Sequence, residues 1–267
     1  MSAERLTDRV WGAIIERARA EGANPLVRHV LEACTEEVGA AGCALSMVGA
    51  TGAHEPIVAV GEHCEELEEL QFTLGQGPGV DAAVDDGMVL ATDLAHERAR
   101  RRWPVFAPAA AARGLRALFA FPVAAGAARV GILDVYRREP GDLGAADLAT
   151  ALAFADAMLV VVLDERGLVR SGTDQSRIGV LPERRAEVHQ AAGMVSVQLG
   201  VGVSEALVRL RAYAYAHDRR LAEVAADVVA RRLRFAPDRR GMTDTTSGNG
   251  MIDAPPNSDH DQPEGGA

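Results

Sequence analysis

The sequence predicts an α+β fold: an antiparallel-rich sheet with helices grouped around it, then a separate all-α unit of three helices. Three observations carry this. Two strand-like runs, residues 117–123 and 130–136, are joined by a short Ala/Gly loop, the pattern of a hairpin. A long apolar helical run, residues 145–166, follows them, so helices gather at the ends of the strands and do not alternate with them. Charge then divides the chain. Residues 177–240 hold twelve Arg against seven acidic residues, the 176 residues before them hold sixteen Arg against twenty-six, and the 27 after them hold five acids and no base. An acidic protein with one compact basic helical segment reads as two working parts, of which one is suited to polyanions.

Composition narrows the class. At 48% hydrophobic and 25% charged residues, the chain has the balance of a soluble globular protein. All 28 basic residues are Arg, so every cationic contact is a planar guanidinium with a permanent charge. Residues 1–20 carry alternating charges and no secretory core, and no run is read as approaching the roughly 18 apolar residues of a membrane span. The three cysteines, Cys34, Cys43 and Cys64, are scattered and include no CxxC pair. A cytoplasmic protein with reduced thiols is expected.

In chain order, Leu6, Val10, Ile14 and Ile15 give a first helix, broken by Gly22 to Pro25. Leu26, Val30, Leu31 and Cys34 give a second, over 26–38. Strands over 43–48 and 57–60 meet at a turn at Gly49 to Gly52, and the acidic run 62–69 suits a short solvated helix. Gly75-Gln-Gly-Pro-Gly79 is a tight loop. It lacks the Lys-Ser/Thr of a phosphate loop and the spacing of a dinucleotide fingerprint. A short helix over 79–84, a strand over 88–92 and a helix over 104–113 complete the crossover into the hairpin. Residues 167–180 read as a linker. In the basic segment, Val188, Ala192, Val195 and Leu199 give one helix, stopped at Gly200. Ser204 is expected to cap a second carrying Leu207, Leu210 and Ala214, and Asp218 a third carrying Leu221, Val224, Ala225 and Val228. The tail from Gly241 has little that could pack and is expected to be disordered.

Two families are resembled. Arg185-Ala-Glu-Val-His-Gln-Ala-Ala-Gly-Met194, Gly200 to Ser204, Ala206-Leu-Val-Arg-Leu-Arg211 and Arg219-Arg-Leu-Ala-Glu-Val-Ala225 resemble the ANTAR domain over about 183–236. That family is a three-helix module that binds nascent RNA and acts in transcription antitermination. It commonly has Ala-Lys-Gly on its first helix, and here the middle position is Ala192, so one basic contact is missing. Gly75-Gln-Gly-Pro-Gly79, Thr92-Asp-Leu94, Trp103-Pro104, Ala120-Phe-Pro-Val123 and Gly131-Ile-Leu-Asp-Val-Tyr136 look like a GAF domain over about 26–166. In this order the two resemble the GAF–ANTAR regulators of actinobacteria. The implied organisation is an N-terminal helix (1–25), a GAF-like sensor domain (26–168), a linker (169–182), an ANTAR-like RNA-binding domain (183–236) and an acidic tail (237–267). The implied protein is a regulator and not an enzyme, and no Ser–His–Asp or Cys–His order stands out as catalytic.

The RNA-binding candidates are Arg185, Gln190, Gly193, Arg209, Arg211, Tyr213, Arg219 and Arg220. Guanidinium groups offer charge, bidentate phosphate contacts and stacking planes. Arg209 and Tyr213 lie four residues apart on one face, a pair suited to stacking an unpaired loop base. The ordinary reading of the same residues is a solvated helical surface, and Arg211, nearer the core stripe, also reads as a structural donor. Homodimerisation is expected, through Leu181, Val188 and Val195 or through Leu148, Leu152, Ala155 and Leu159. A small-ligand pocket in the GAF-like domain is expected at Val60, Phe72, Leu74, Phe119, Phe121 and Leu133, with the ligand and any cofactor unknown. The Asn-Lys-Phe-Asp-Glu-type signature of cyclic-nucleotide-binding GAF domains is not visible. No metal site is expected, since His54, His63, Cys64 and His96 have no ligand spacing. The alternative from another class is a small-ligand or redox sensor whose C-terminal helices serve only for dimerisation.

Overall fold

A computed structural model of the chain describes residues 3–48, 54–85, 87–126, 128–170, 182–217 and 219–236. The Gly49 to Gly52 turn, most of the linker, Leu181, Asp218 and the acidic tail lie outside the described residues.

Helices α1 (Ala3–Ala20) and α2 (Val27–Glu37) precede strands β1 (Gly42–Val48) and β2 (His54–Gly61). The crossover holds α3 (Cys64–Leu74), α4 (Pro78–Asp85), β3 (Val89–Ala91), α5 (Glu97–Arg102) and α6 (Phe106–Ala112). Then come β4 (Ala117–Ala125), β5 (Ala128–Arg137) and α7 (Ala145–Arg170). The sheet has the order β2-β1-β5-β4-β3, and every neighbouring pair is antiparallel. Helix α3 runs through Phe72 to Leu74, beyond the acidic run that marks its start, and α7 continues four residues past the expected boundary.

The two-residue period of the strands sorts the core. Cys43, Leu45, Phe119, Phe121, Val123, Leu133 and Val135 face α2 and α7 and form a single apolar cluster with them. Ala44, Ser46, Leu118, Ala120, Ile132, Asp134 and Tyr136 face the other way, toward α3, α4 and α6. Burying a side chain the size of Phe119 or Phe121 contributes about 1.5–3 kcal/mol. Where α1 turns into α2, His29 Nδ1 accepts the Leu26 N–H at 3.0 Å, its Nε2 lies 3.1 Å from Glu21, and Arg28 reaches Glu21 and Glu32 at 2.5 and 2.8 Å.

This arrangement corrects the pocket expectation. Phe119, Phe121 and Leu133 lie in the α2–α7 cluster with Val60 against it. Leu74 packs on the opposite side of the sheet, and Phe72 joins the C-terminal helices. The six residues therefore do not line one cavity. Helix α7 corrects another expectation. Residues 145–164 are long and apolar enough to cross a membrane by length and composition, although Asp147, Asp156 and Asp164 interrupt the run. Ala151, Phe154, Ala155, Ala157, Met158, Val161 and Val162 are instead its inner face against the sheet and α2.

All three cysteines are buried and unpaired. Burial pushes the Cys64 thiol up to about 12, and Cys34 is raised by its hydrogen bond to Cys43 and by burial. Thiolate is the reactive form. The native protein should therefore resist iodoacetamide at mildly alkaline pH and take up three labels per chain once denatured. Rapid native labelling, read by mass, would contradict this packing.

Candidate nucleic-acid interface

The C-terminal unit is built on α8 (Pro182–Leu199), α9 (Val203–Ala216) and α10 (Leu221–Val229). Its core follows the helical stripes: Val188, Ala191, Ala192 and Val195 meet Ala206, Leu207, Leu210 and Ala214, and both meet Leu221, Val224, Ala225 and Val228. Ala192 is buried in this core, so the chain has a methyl group where a lysine would have to thread its stem outward to reach water. The caps differ from expectation. Helix α9 starts from Gly202, which places Ser204 inside the helix, and α10 starts from Arg220 without a side-chain cap. The unit closes at its far end through Gln198 Oε1, which accepts the Phe235 N–H at 2.8 Å.

The RNA-binding candidates fall into distinct environments. Gln190 is exposed on α8, and Arg185 lies on the same helix, its side chain outside the described residues. Gly193 is half-buried, yet a Cβ added there meets nothing within 4 Å. Glycine in a helix interior costs about 1 kcal/mol against alanine, and internal packing gives no reason for it at this position. Arg209 pairs with Glu205 at 3.2 Å. Tyr213 stacks on His217 with ring centroids 3.9 Å apart and meets Phe235 edge-on at 5.4 Å. The expected Arg209–Tyr213 stacking face is thus divided between other partners. Arg219 is held by Asp227 at 2.7 Å, and Arg232 reaches the same carboxylate at 2.7 Å, which keeps Asp227 below the usual carboxylate range. Arg220, Arg231 and Arg234 are exposed and make no ion pair with another described residue.

Arg211 is the exception among these guanidinium groups. Its Cζ sits 5.1 Å from the centroid of the Phe72 ring, and it lies against Gly75. Burial pulls its pKa below the usual value, with Glu55 partly offsetting the shift, and its Nε is buried without a hydrogen-bond partner. The α3–α9 contact that this pair makes is extended by His189, whose Nε2 lies 2.6 Å from Glu55 Oε1. Beside it runs a cleft of about 770 Å³, with Glu65, Glu66 and Glu69 on the sheet domain facing Tyr215, Arg219 and Arg220 on the helical unit. Sequence reasoning missed Tyr215, which is exposed in this cleft; its signal was the spacing of four residues from Arg211.

Residues 23–162 match the family model for the GAF domain, and residues 182–229 match that for the ANTAR domain. The chain is similar to the GAF domain from an Acinetobacter phosphoenolpyruvate-protein phosphotransferase at 12% identity and a TM-score of 0.46, over 64% of this chain and 99% of that one. It is also similar to the GAF domain of the corresponding protein from Coxiella burnetii at 13% identity and a TM-score of 0.46, over 63% and 96% of the two chains. No curated protein matches the chain.

Replacing Phe72 by Ala should cost about 3 kcal/mol, since a buried aromatic ring is lost, and the loss falls on the α3–α9 contact. Amide exchange is expected to quicken in α9 and in α3 after Gln71 while β4 and β5 keep their protection. Equal acceleration throughout the sheet would show that Phe72 supports the GAF core instead.

Proposed function

From a chain that belongs to the GAF domain family and carries an ANTAR domain after it, we propose a transcription regulator of the antitermination type. The sensory domain receives a signal, and the helical unit binds hairpin loops in nascent RNA. The observation that carries this reading is the charge division, with exposed Arg220, Arg231 and Arg234 on the helical unit of an otherwise acidic protein. Guanidinium–phosphate contacts supply affinity that falls with salt, and contacts to unpaired loop bases supply specificity. Arg220 and Tyr215, which both line the cleft, are suited to a phosphate and a base face. Arg211 belongs to the docking contact, and Arg219 and Arg232 act through Asp227 to hold the turn after α10.

The cleft suggests how input reaches output. Glu65, Glu66 and Glu69 face the groups that an RNA phosphate would approach, so the docked arrangement screens part of the basic surface. A signal that loosens α3 from α9 uncovers it. Pairing of two chains would place two helical units beside each other and raise their joint affinity without new contacts. Of the α7 seam expected at Leu148, Leu152, Ala155 and Leu159, Ala155 is buried in the core and Leu148 and Leu159 pack against it; the exposed face that suits pairing is instead Leu152, Val160 and Leu163, at 40%, 53% and 50%. Val188 and Val195 of the other expected seam are core residues of the three-helix unit.

The test is binding of the full chain to a two-hairpin RNA and to a duplex of equal length across a salt series. Preference for the loops is expected, and Arg220→Ala should lower the log–log salt slope by about 1. Equal affinity for loop and duplex, or no binding at low salt, would leave the C-terminal helices as dimerisation elements only. Gly193→Ala should stabilise α8 by up to about 1 kcal/mol while weakening RNA binding, as expected where the backbone approaches the ligand. Thermal unfolding and RNA titration of the same variant check both halves.

A further inference from the structure

On the α3–α4 side of the sheet lies a buried polar cluster that RNA binding does not use. His54, at the start of β2, is 2% exposed, and neither ring nitrogen has a hydrogen-bond partner. Its Nε2 lies 3.8 Å from Glu68 Oε2 on α3 and 3.8 Å from Asp134 Oδ2 on β5, both on side chains 1% exposed. These three donor atoms fall within 4.8 Å of one another. A neutral imidazole carries one N–H donor and one lone pair, and leaving both buried without a partner is costly; an ion at Nε2 would satisfy the lone pair.

The surroundings orient the donors. Glu68 accepts from Ser46 Oγ at 2.7 Å, from the Tyr136 hydroxyl at 2.7 Å and from Gln71 Nε2 at 3.1 Å. Gln71 Nε2 also lies 2.9 Å from Asp134 Oδ2, and its Oε1 accepts the Gly79 N–H at 2.9 Å. Both carboxylates are thus fixed by groups that are not themselves ligands, as outer hydrogen bonds fix metal ligands. Asp134 Oδ1 keeps an unpartnered lone pair.

Gly79 holds the α4 backbone against the donors. A Cβ there would stand 2.4 Å from Asp134 Oδ2 and 2.7 Å from His54 Nε2. Glycine thus lets the α4 backbone pack directly against His54 and Asp134, and any side chain here would push the two donors apart. Gly79 sits inside α4 with ordinary helical geometry, so the close approach is what requires glycine there.

The geometry points to a site for one divalent first-row transition ion, ligated by His54 Nε2, Glu68 Oε2 and Asp134 Oδ2 beneath the Gly75–Gly79 loop. One nitrogen and two carboxylate oxygens without thiolate suit Zn²⁺, Co²⁺, Mn²⁺ or Fe²⁺. A doubly charged ion would balance the two buried carboxylates in their ionised form.

The full chain, stripped with a chelator, is titrated with Zn²⁺ by calorimetry and with Co²⁺ by visible absorption. One ion per chain is expected, with Co²⁺ ligand-field bands and a shift of the His54 ring nitrogens on adding Zn²⁺. His54→Gln and Asp134→Asn should each weaken binding about tenfold or more, and Gly79→Ala should block it without removing a ligand. Circular dichroism identifies any variant that fails to fold, and the His54 ring shift in the wild-type chain needs no variant. No stoichiometric uptake overturns the proposal. So does uptake unchanged in folded His54→Gln and Asp134→Asn, which would place the ion elsewhere on the chain. Failure of RNA binding leaves these outcomes untouched.

Discussion

Helix α3 is held on two sides by unlike chemistry, and the relation between the two domains depends on it. Toward the sheet it offers Glu68 and Gln71, both buried in hydrogen bonds to Ser46, Asp134 and Tyr136. Toward the helical unit it offers the Phe72 ring, over which Arg211 lies. A polar network of this kind is demanding, because a donor or acceptor left without its partner costs about 1–3 kcal/mol. That requirement fixes the rotation of α3 about its axis, and the rotation in turn aims Phe72.

Much of the architecture was legible from local pattern. Strands β4 and β5, the α7 run and the stripes of α8 to α10 follow from periodicity, which neighbouring residues set on their own. The expected ligand pocket was not so legible. Strand parity correctly groups Phe119 with Phe121, and the β4–β5 register sets Phe121 opposite Leu133. Parity does not say which side of a sheet faces which layer, and these rings face α2 and α7. Phe72 does not join them: α3 continues a turn past its acidic run, and that turn carries Phe72 to the other domain.

The candidate interface was legible as charge and less so as geometry. Counting Arg residues finds the basic unit, but Asp227, Glu205 and Phe72 decide which of them are engaged within the protein. The Glu205 pair follows from i,i+4 spacing, but Asp227 and Phe72 come from another helix or another domain, and spacing alone does not rank them. His54, Glu68 and Asp134 are similar in kind. They stand far apart in the chain, and only the β2–β1–β5 pairing with α3 laid across it draws them together.

The neighbours of those three residues have a thermodynamic consequence. His54 adjoins Glu55, which bonds His189 of α8, and Glu68 stands one helical turn before Phe72, which meets Arg211 of α9. The two elements that converge beneath the Gly75–Gly79 loop are thus the two that grip the helical unit. Any occupant beneath α3 whose affinity differs between the docked and released arrangements is linked to whatever binds the released helices. Linkage of this kind is reciprocal: each ligand changes the other's affinity by the same factor. RNA bound to the released helices would therefore be readable as a changed affinity beneath α3, with no third component to carry the message.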